Sequence, residues 1–69
     1  RLAIFLLDES SRTESDFIAL THEQIAKYIG SAREVVSRML KYFANEGIVE
    51  SSRKGIKITD KKRLRELAL

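Results

Sequence analysis

The chain has 69 residues, a net charge of +3, a single histidine and no cysteine. A chain this short forms one domain and buries only roughly 60% of the surface its unfolded form exposes. The lack of cysteine excludes disulfides and thiolate metal sites and allows a reducing, cytoplasmic setting, while one histidine leaves a zinc site to be built mostly from carboxylates and no apolar run approaches the ~18 residues that would suggest a membrane span.

Residues 1–7, RLAIFLL, are too uniformly apolar to reveal a period and are expected to end a helix begun upstream, in a segment of a longer protein. Residues 8–16, DESSRTESD, have the polar, serine-rich composition of a loop. Phe17 to Leu20 is a short apolar run, a brief strand or an extended lead-in. Thr21 then begins a helix: with Gln24 it makes a capping-box pair, each side chain satisfying an otherwise unpaired backbone N–H. Ile25, Ala26 and Ile29 form its apolar face, and Gly30 ends it, where a left-handed conformation is common.

Ser31 or Ala32 is expected to cap a second, longer helix, with Ser31 and Glu34 spaced as another capping box. At ~100° per residue, Arg33, Ser37, Lys41, Glu34, Asn45 and Arg38 share one arc, and Tyr42, Val35, Met39, Phe43, Val36 and Leu40 the other. The first face is expected to be exposed and the second packed. After Asn45-Glu46-Gly47, residues 48–53 and 56–59 read as two strands joined at Lys54-Gly55, with Ile56 and Ile58 inward and Lys57 outward. Asp60 caps a last helix, residues 61–68, packed through Leu64, Leu67 and Ala68. The fold class is therefore mainly α with a small β wing: a winged helix-turn-helix of three to four helices plus a two-stranded hairpin, covering residues 1–69.

Charge follows the same division. Residues 1–30 hold three basic and five acidic side chains, whereas residues 31–69 hold ten basic and five acidic ones. A basic half of this kind suits a polyanionic partner, and on charge alone a solvated charged surface with no partner fits equally well. A helix of the second type fits the major groove, which is about 12 Å wide. Arginine can bond guanine O6 and N7 through two parallel N–H groups, and a carboxylate can accept from cytosine N4. Arg33, Glu34 and Arg38 supply that set near the helix N-terminus, and Ser37 is small enough to allow close approach. The plainer alternatives are a Glu34–Arg38 surface ion pair at i, i+4 or a Glu34 that acts only in the cap. Around this face, Thr21, His22 and Ser31 lie at helix N-termini, which favour anions, and Lys41, Arg53 and Lys54 are candidates for phosphate. A solvated wing turn and an ordinary surface histidine are the corresponding alternatives.

The stretch LTHEQIAKYIG-SAREVVSRMLKYFANEGIV, followed by RKGIKITD, resembles the C-terminal DNA-binding domain of the Crp/Fnr family of bacterial transcription regulators. Its most specific part is REVVSR. The resemblance implies that Arg33, Glu34 and Arg38 read base edges, with Glu34, Ser37 and Arg38 matching the Fnr-type E-x-x-S-R arrangement and Arg33 the Crp-type contact. It implies a half-site with a TGA-like core, presented as a palindromic operator to a homodimer. It further implies an N-terminal effector domain, a β-barrel that binds a cyclic nucleotide, a haem or an iron–sulfur cluster, together with a long dimer helix; no cofactor is expected in these 69 residues. The Asp8–Asp16 stretch matches in position a surface that some relatives use to touch RNA polymerase. Ala32 departs from the pattern, standing where many members have Ser or Thr. A second class of function, a winged-helix protein-interaction module, would call for exposed aromatic or Met anchors on the polar face, where the sequence places none. An enzyme has almost no support, since there is no cysteine, only one histidine, no glycine-rich phosphate loop and no pair of carboxylates placed for acid–base work.

Overall fold

In the computed structural model, which describes residues 1–68, the first helix is longer than composition suggests. α1 runs from Leu2 to Thr13 and takes in most of the stretch that reads as a loop. Leu2, Leu6 and Ser10, spaced four apart, are buried with Ala3, so the polar residues after Leu7 continue an amphipathic helix rather than end it. Ser10 donates to Asp16 Oδ1 at 3.2 Å, which gives this buried polar side chain of the core a partner. On the outer side, Arg12 pairs with Glu9 at 2.9 Å. The helix stops at Glu14, which adopts the left-handed conformation (φ 53°) and returns its N–H to the last carbonyls.

β1 is Phe17–Ile18, β2 Val49–Ser52 and β3 Gly55–Ile58. They form one antiparallel sheet in the order β1-β3-β2, so the expected two-stranded hairpin gains a third strand from the short apolar run before the first capping box. Ile18 pairs with Ile56, and Val49 with Ile58. Ile56 and Ile58 are buried and Lys57 is exposed, as the alternation predicts. Gly55 makes the three-stranded arrangement feasible. Its φ is 152°, and a Cβ there would run into the Ile18 carbonyl of β1.

α2 (His22–Ile29) and α3 (Arg33–Asn45) pack across the core, which is formed mainly by Leu2, Leu6, Ile25, Val36, Leu40, Phe43, Ile48, Ile56 and Leu64. α4 (Lys61–Ala68) lies on α1, with Asp60 Oδ1 accepting the Arg63 N–H at its N-terminus as expected. Leu64 is fully buried, but Leu67 is 44% exposed and is not a packing position. Leu69, which closes the expected domain, lies outside the described residues. Lys61 pairs with Asp16 at 3.0 Å and, with Ser10, holds that carboxyl below its usual pKa. Arg63 donates to the Glu46 carbonyl at 2.6 Å and to its carboxylate at 3.0 Å, fastening α4 to the C-terminus of α3, where a cation is favoured. Among the described residues no helix is long and apolar enough to cross a membrane.

Candidate nucleic-acid interface

The unit formed by α2, the turn and α3 is built by local chemistry. At the start of α2 the capping box is complete: Thr21 Oγ1 accepts from the Gln24 N–H at 3.1 Å, and Gln24 Oε1 accepts from the Thr21 N–H at 2.9 Å. At its end Gly30 is left-handed (φ 69°), and the N–H of Ser31 returns to the Ala26 carbonyl at 2.9 Å. The chain then enters α3 through Ala32, whose extended backbone occupies the N-cap position without any side-chain hydrogen bond. The expected Ser31–Glu34 capping box does not form, because Ser31 lies one residue too early. The first N–H groups of α3 therefore have no side-chain cap, and they point out of a positive helix end.

On α3, Arg33, Glu34, Arg38 and Lys41 are exposed on one side. The ion pairs among the described residues lie elsewhere, at Arg12–Glu9, Lys61–Asp16 and Arg63–Glu46. The alternative Glu34–Arg38 pair is absent from them, so these side chains extend toward solvent without an internal partner. Arg53 and Lys54 form the exposed turn between β2 and β3, one residue earlier than the Lys54-Gly55 junction expected. The structure thus brings a mixed cation–carboxylate helix face and a cationic wing turn onto the same domain.

Two features differ from the helical-wheel reading. The buried arc of α3 is Val36, Leu40 and Phe43, with Ala44 half-buried beside it, whereas Val35, Met39 and Tyr42 are 40%, 40% and 53% exposed. The packed face is rotated toward Ala44 and Ser37, and narrower than the apolar arc. The reason is geometric: α2 and the sheet contact only one side of α3, and this leaves a flank of the apolar arc open beside Arg1, Leu2 and Ile29. Ser37, expected on the exposed face, is half-buried. Its hydroxyl lies 2.8 Å from His22 Nδ1, and His22 Nε2 lies 3.2 Å from the Ser51 hydroxyl on β2. Ser37 and Ser51 stand 15 and 29 residues from His22, so no local sequence signal links the three. Thr21 Oγ1 is occupied as an acceptor by its cap, which leaves its hydroxyl hydrogen available.

A profile of Crp-like helix-turn-helix domains matches residues 1–67. The chain belongs to this family. A solved structure from Eubacterium rectale ATCC 33656, assigned to the Crp/Fnr family of transcriptional regulators, is 51% identical to this Crp-like domain over 97% of its length, with a TM-score of 0.94. A Crp/Fnr-family transcriptional regulator from Thermus thermophilus is 32% identical over 99% of it, with a TM-score of 0.91. The transcriptional regulatory protein btr of Bordetella pertussis is 31% identical over 97%. The chain spans 31%, 38% and 31% of the lengths of these three relatives. The family is one of transcription-regulator helix-turn-helix domains rather than of enzymes, and among the described residues no cluster of potential metal ligands occurs.

Proposed function

We propose that this Crp-like domain binds duplex DNA sequence-specifically, with α3 in the major groove and the β2–β3 turn on the flanking backbone. The observation that carries this reading is the exposed set Arg33, Glu34, Arg38 and Lys41, free of internal ion pairs, beside an α3 N-terminus with no side-chain cap. Arg33 and Arg38 suit guanine O6 and N7, Glu34 suits cytosine N4, and Ser37 completes the base-reading set. Lys41, Arg53 and Lys54 take phosphates together with the N-terminus of α3. Thr21 can add a phosphate bond through its free hydroxyl hydrogen, and Ser31 lies beside the same helix end. His22 has both ring nitrogens engaged with the Ser37 and Ser51 hydroxyls, so the phosphate contact at this corner is assigned to Ser51 rather than to the ring itself.

In a homodimer, two such helices meet an inverted repeat, and the resemblance points to a half-site containing TGA. Linking the two half-sites makes the second contact intramolecular, so the dimer binds far more tightly than one domain. The cofactor that the resemblance implies would sit in the effector domain of a full-length regulator, whereas the contact with RNA polymerase that it implies would fall on the Asp8–Asp16 stretch of this domain. Arg38→Ala tests the base-reading role: it is expected to cost about 1–3 kcal/mol on the cognate site and to relax specificity there. Lys54→Ala is expected to weaken all duplexes alike and to lower the salt slope by about one. Equal loss on cognate and random duplex from Arg38→Ala would remove Arg38 from the base-reading set.

A second reading, a protein-interaction module, gains one observation. Val35, Met39 and Tyr42 are exposed beside the polar face and offer the apolar anchors such a module needs. This reading predicts affinity that is indifferent to DNA sequence and sensitive to Met39→Ala and Tyr42→Ala.

A further inference from the structure

His22 stands where three elements meet. It lies in the first turn of α2, half-buried, with Nδ1 2.8 Å from Ser37 Oγ on α3 and Nε2 3.2 Å from Ser51 Oγ on β2. A neutral imidazole has one N–H and one bare nitrogen, so its two hydrogen bonds are not independent. If Nε2 carries the hydrogen, it donates to Ser51, and Nδ1 accepts the Ser37 hydroxyl hydrogen. Ser37 then offers only lone pairs to anything outside. If Nδ1 carries the hydrogen, it donates to Ser37, whose own hydroxyl hydrogen remains free. The tautomer therefore decides whether Ser37 meets a base as acceptor or as donor. In the major groove that choice separates the amines, adenine N6 and cytosine N4, from the acceptors N7, O6 and O4.

The wing end can set the tautomer. Ser51 is exposed on β2, the strand that leads into the Arg53-Lys54 turn. A phosphate oxygen only accepts, so a Ser51 hydroxyl bonded to phosphate gives up its single hydrogen there and can only accept from His22. Nε2 must then be the protonated nitrogen. We propose that His22 is a positioning residue that transmits a wing–phosphate contact to the recognition helix. Docking of Ser51 on the backbone selects the Nε2–H tautomer and fixes Ser37 as an acceptor for a base amine, either adenine N6 or cytosine N4. In the free protein both serines can donate or accept, and neither tautomer is imposed. The relay rests on the duplex-DNA reading above and adds to it a coupling between backbone docking and base choice.

The test uses the full-length protein, labelled with 15N-histidine, free and bound to the duplex it enriches from a randomised pool. Long-range 1H–15N correlation reads the His22 tautomer, assigned by its loss in His22→Asn. The expected result is Nε2–H with a bare Nδ1 in the complex. The Asn amide can face Ser37 with either its oxygen or its NH2 but does not reach Ser51. His22→Asn is therefore expected to relax base preference at one position about three- to tenfold, the worth of one hydrogen bond. Binding to random duplex should change far less. A Nδ1–H tautomer in the complex, or equal losses on cognate and random duplex, overturns the relay while leaving DNA binding intact. A wild-type protein that enriches no duplex overturns the DNA reading and the relay with it.

Discussion

Replacing Leu40 with alanine removes a fully buried side chain from beneath α3, between the helix and the rest of the core. Leu→Ala changes at such sites cost about 2–5 kcal/mol, as lost transfer free energy plus the cavity left behind. A 69-residue domain at ~0.05–0.15 kcal/mol per residue has only about 3–10 kcal/mol in total. Leu40→Ala should therefore remove a large fraction of the stability. Met39, the preceding residue, is 40% exposed and borders an open flank rather than a closed space. Complete burial of a Met side chain is worth about 1.5–3 kcal/mol, so its partial burial makes Met39→Ala cost about 1 kcal/mol, with no cavity added. Urea unfolding followed by circular dichroism at about 222 nm separates the two through their midpoints at constant slope. A Met39→Ala loss equal to or larger than that of Leu40→Ala would refute the orientation assigned to α3.

Gly55→Ala is expected to destabilise the domain by at least about 1–3 kcal/mol, since the new Cβ meets the Ile18 carbonyl and the backbone is strained as well; amide exchange at Ile18 and Ile56, the β1–β3 pair, should accelerate first. Ala32→Ser supplies the missing N-cap of α3 and should raise stability by about 0.5–1 kcal/mol, read as a higher urea midpoint. Thr21→Ala removes one half of a complete capping box and should cost about 0.5–2 kcal/mol in the same assay. Asp16 is held below its ordinary pKa by Lys61 first and Ser10 second, so its contribution is complete above the unfolded-state pKa and disappears as pH falls through the lower folded value. Asp16→Asn should flatten the acid limb of stability against pH, and an unchanged limb would show that the pair is screened out by solvent.

Signals confined to a few neighbouring residues were legible in the sequence. Thr21 with Gln24, the glycine turn, Asp60 before its helix and the Ile56-Lys57-Ile58 alternation are each decided within one turn or one strand, and each stands as read. Features decided by distant partners were not. The stretch from Asp8 to Thr13 looks like a loop because its one buried position is Ser10, which extends the stripe begun by Leu2 and Leu6; α4 packs on this helix, and Asp16 gives Ser10 its partner. The rotation of α3 depends on which side α2 and the sheet approach from, and the wheel cannot give that. Arg33, Glu34, Arg38, Lys41, Arg53 and Lys54 were legible as exposed charges because nothing inside the fold needs them. The His22 link to Ser37 and Ser51 was invisible, since it joins a helix, a second helix and a strand through side chains alone.

The most direct test of the central claim is selection of bound duplexes from a randomised pool by the full-length protein. Sequence-specific reading by α3 predicts an enriched inverted repeat with a TGA-containing half-site, and a change at single positions of that half-site when Arg38 is replaced by alanine. A pool that stays random at a salt concentration where the protein still binds DNA would contradict the claim and leave only backbone attraction, or a protein partner, for this face.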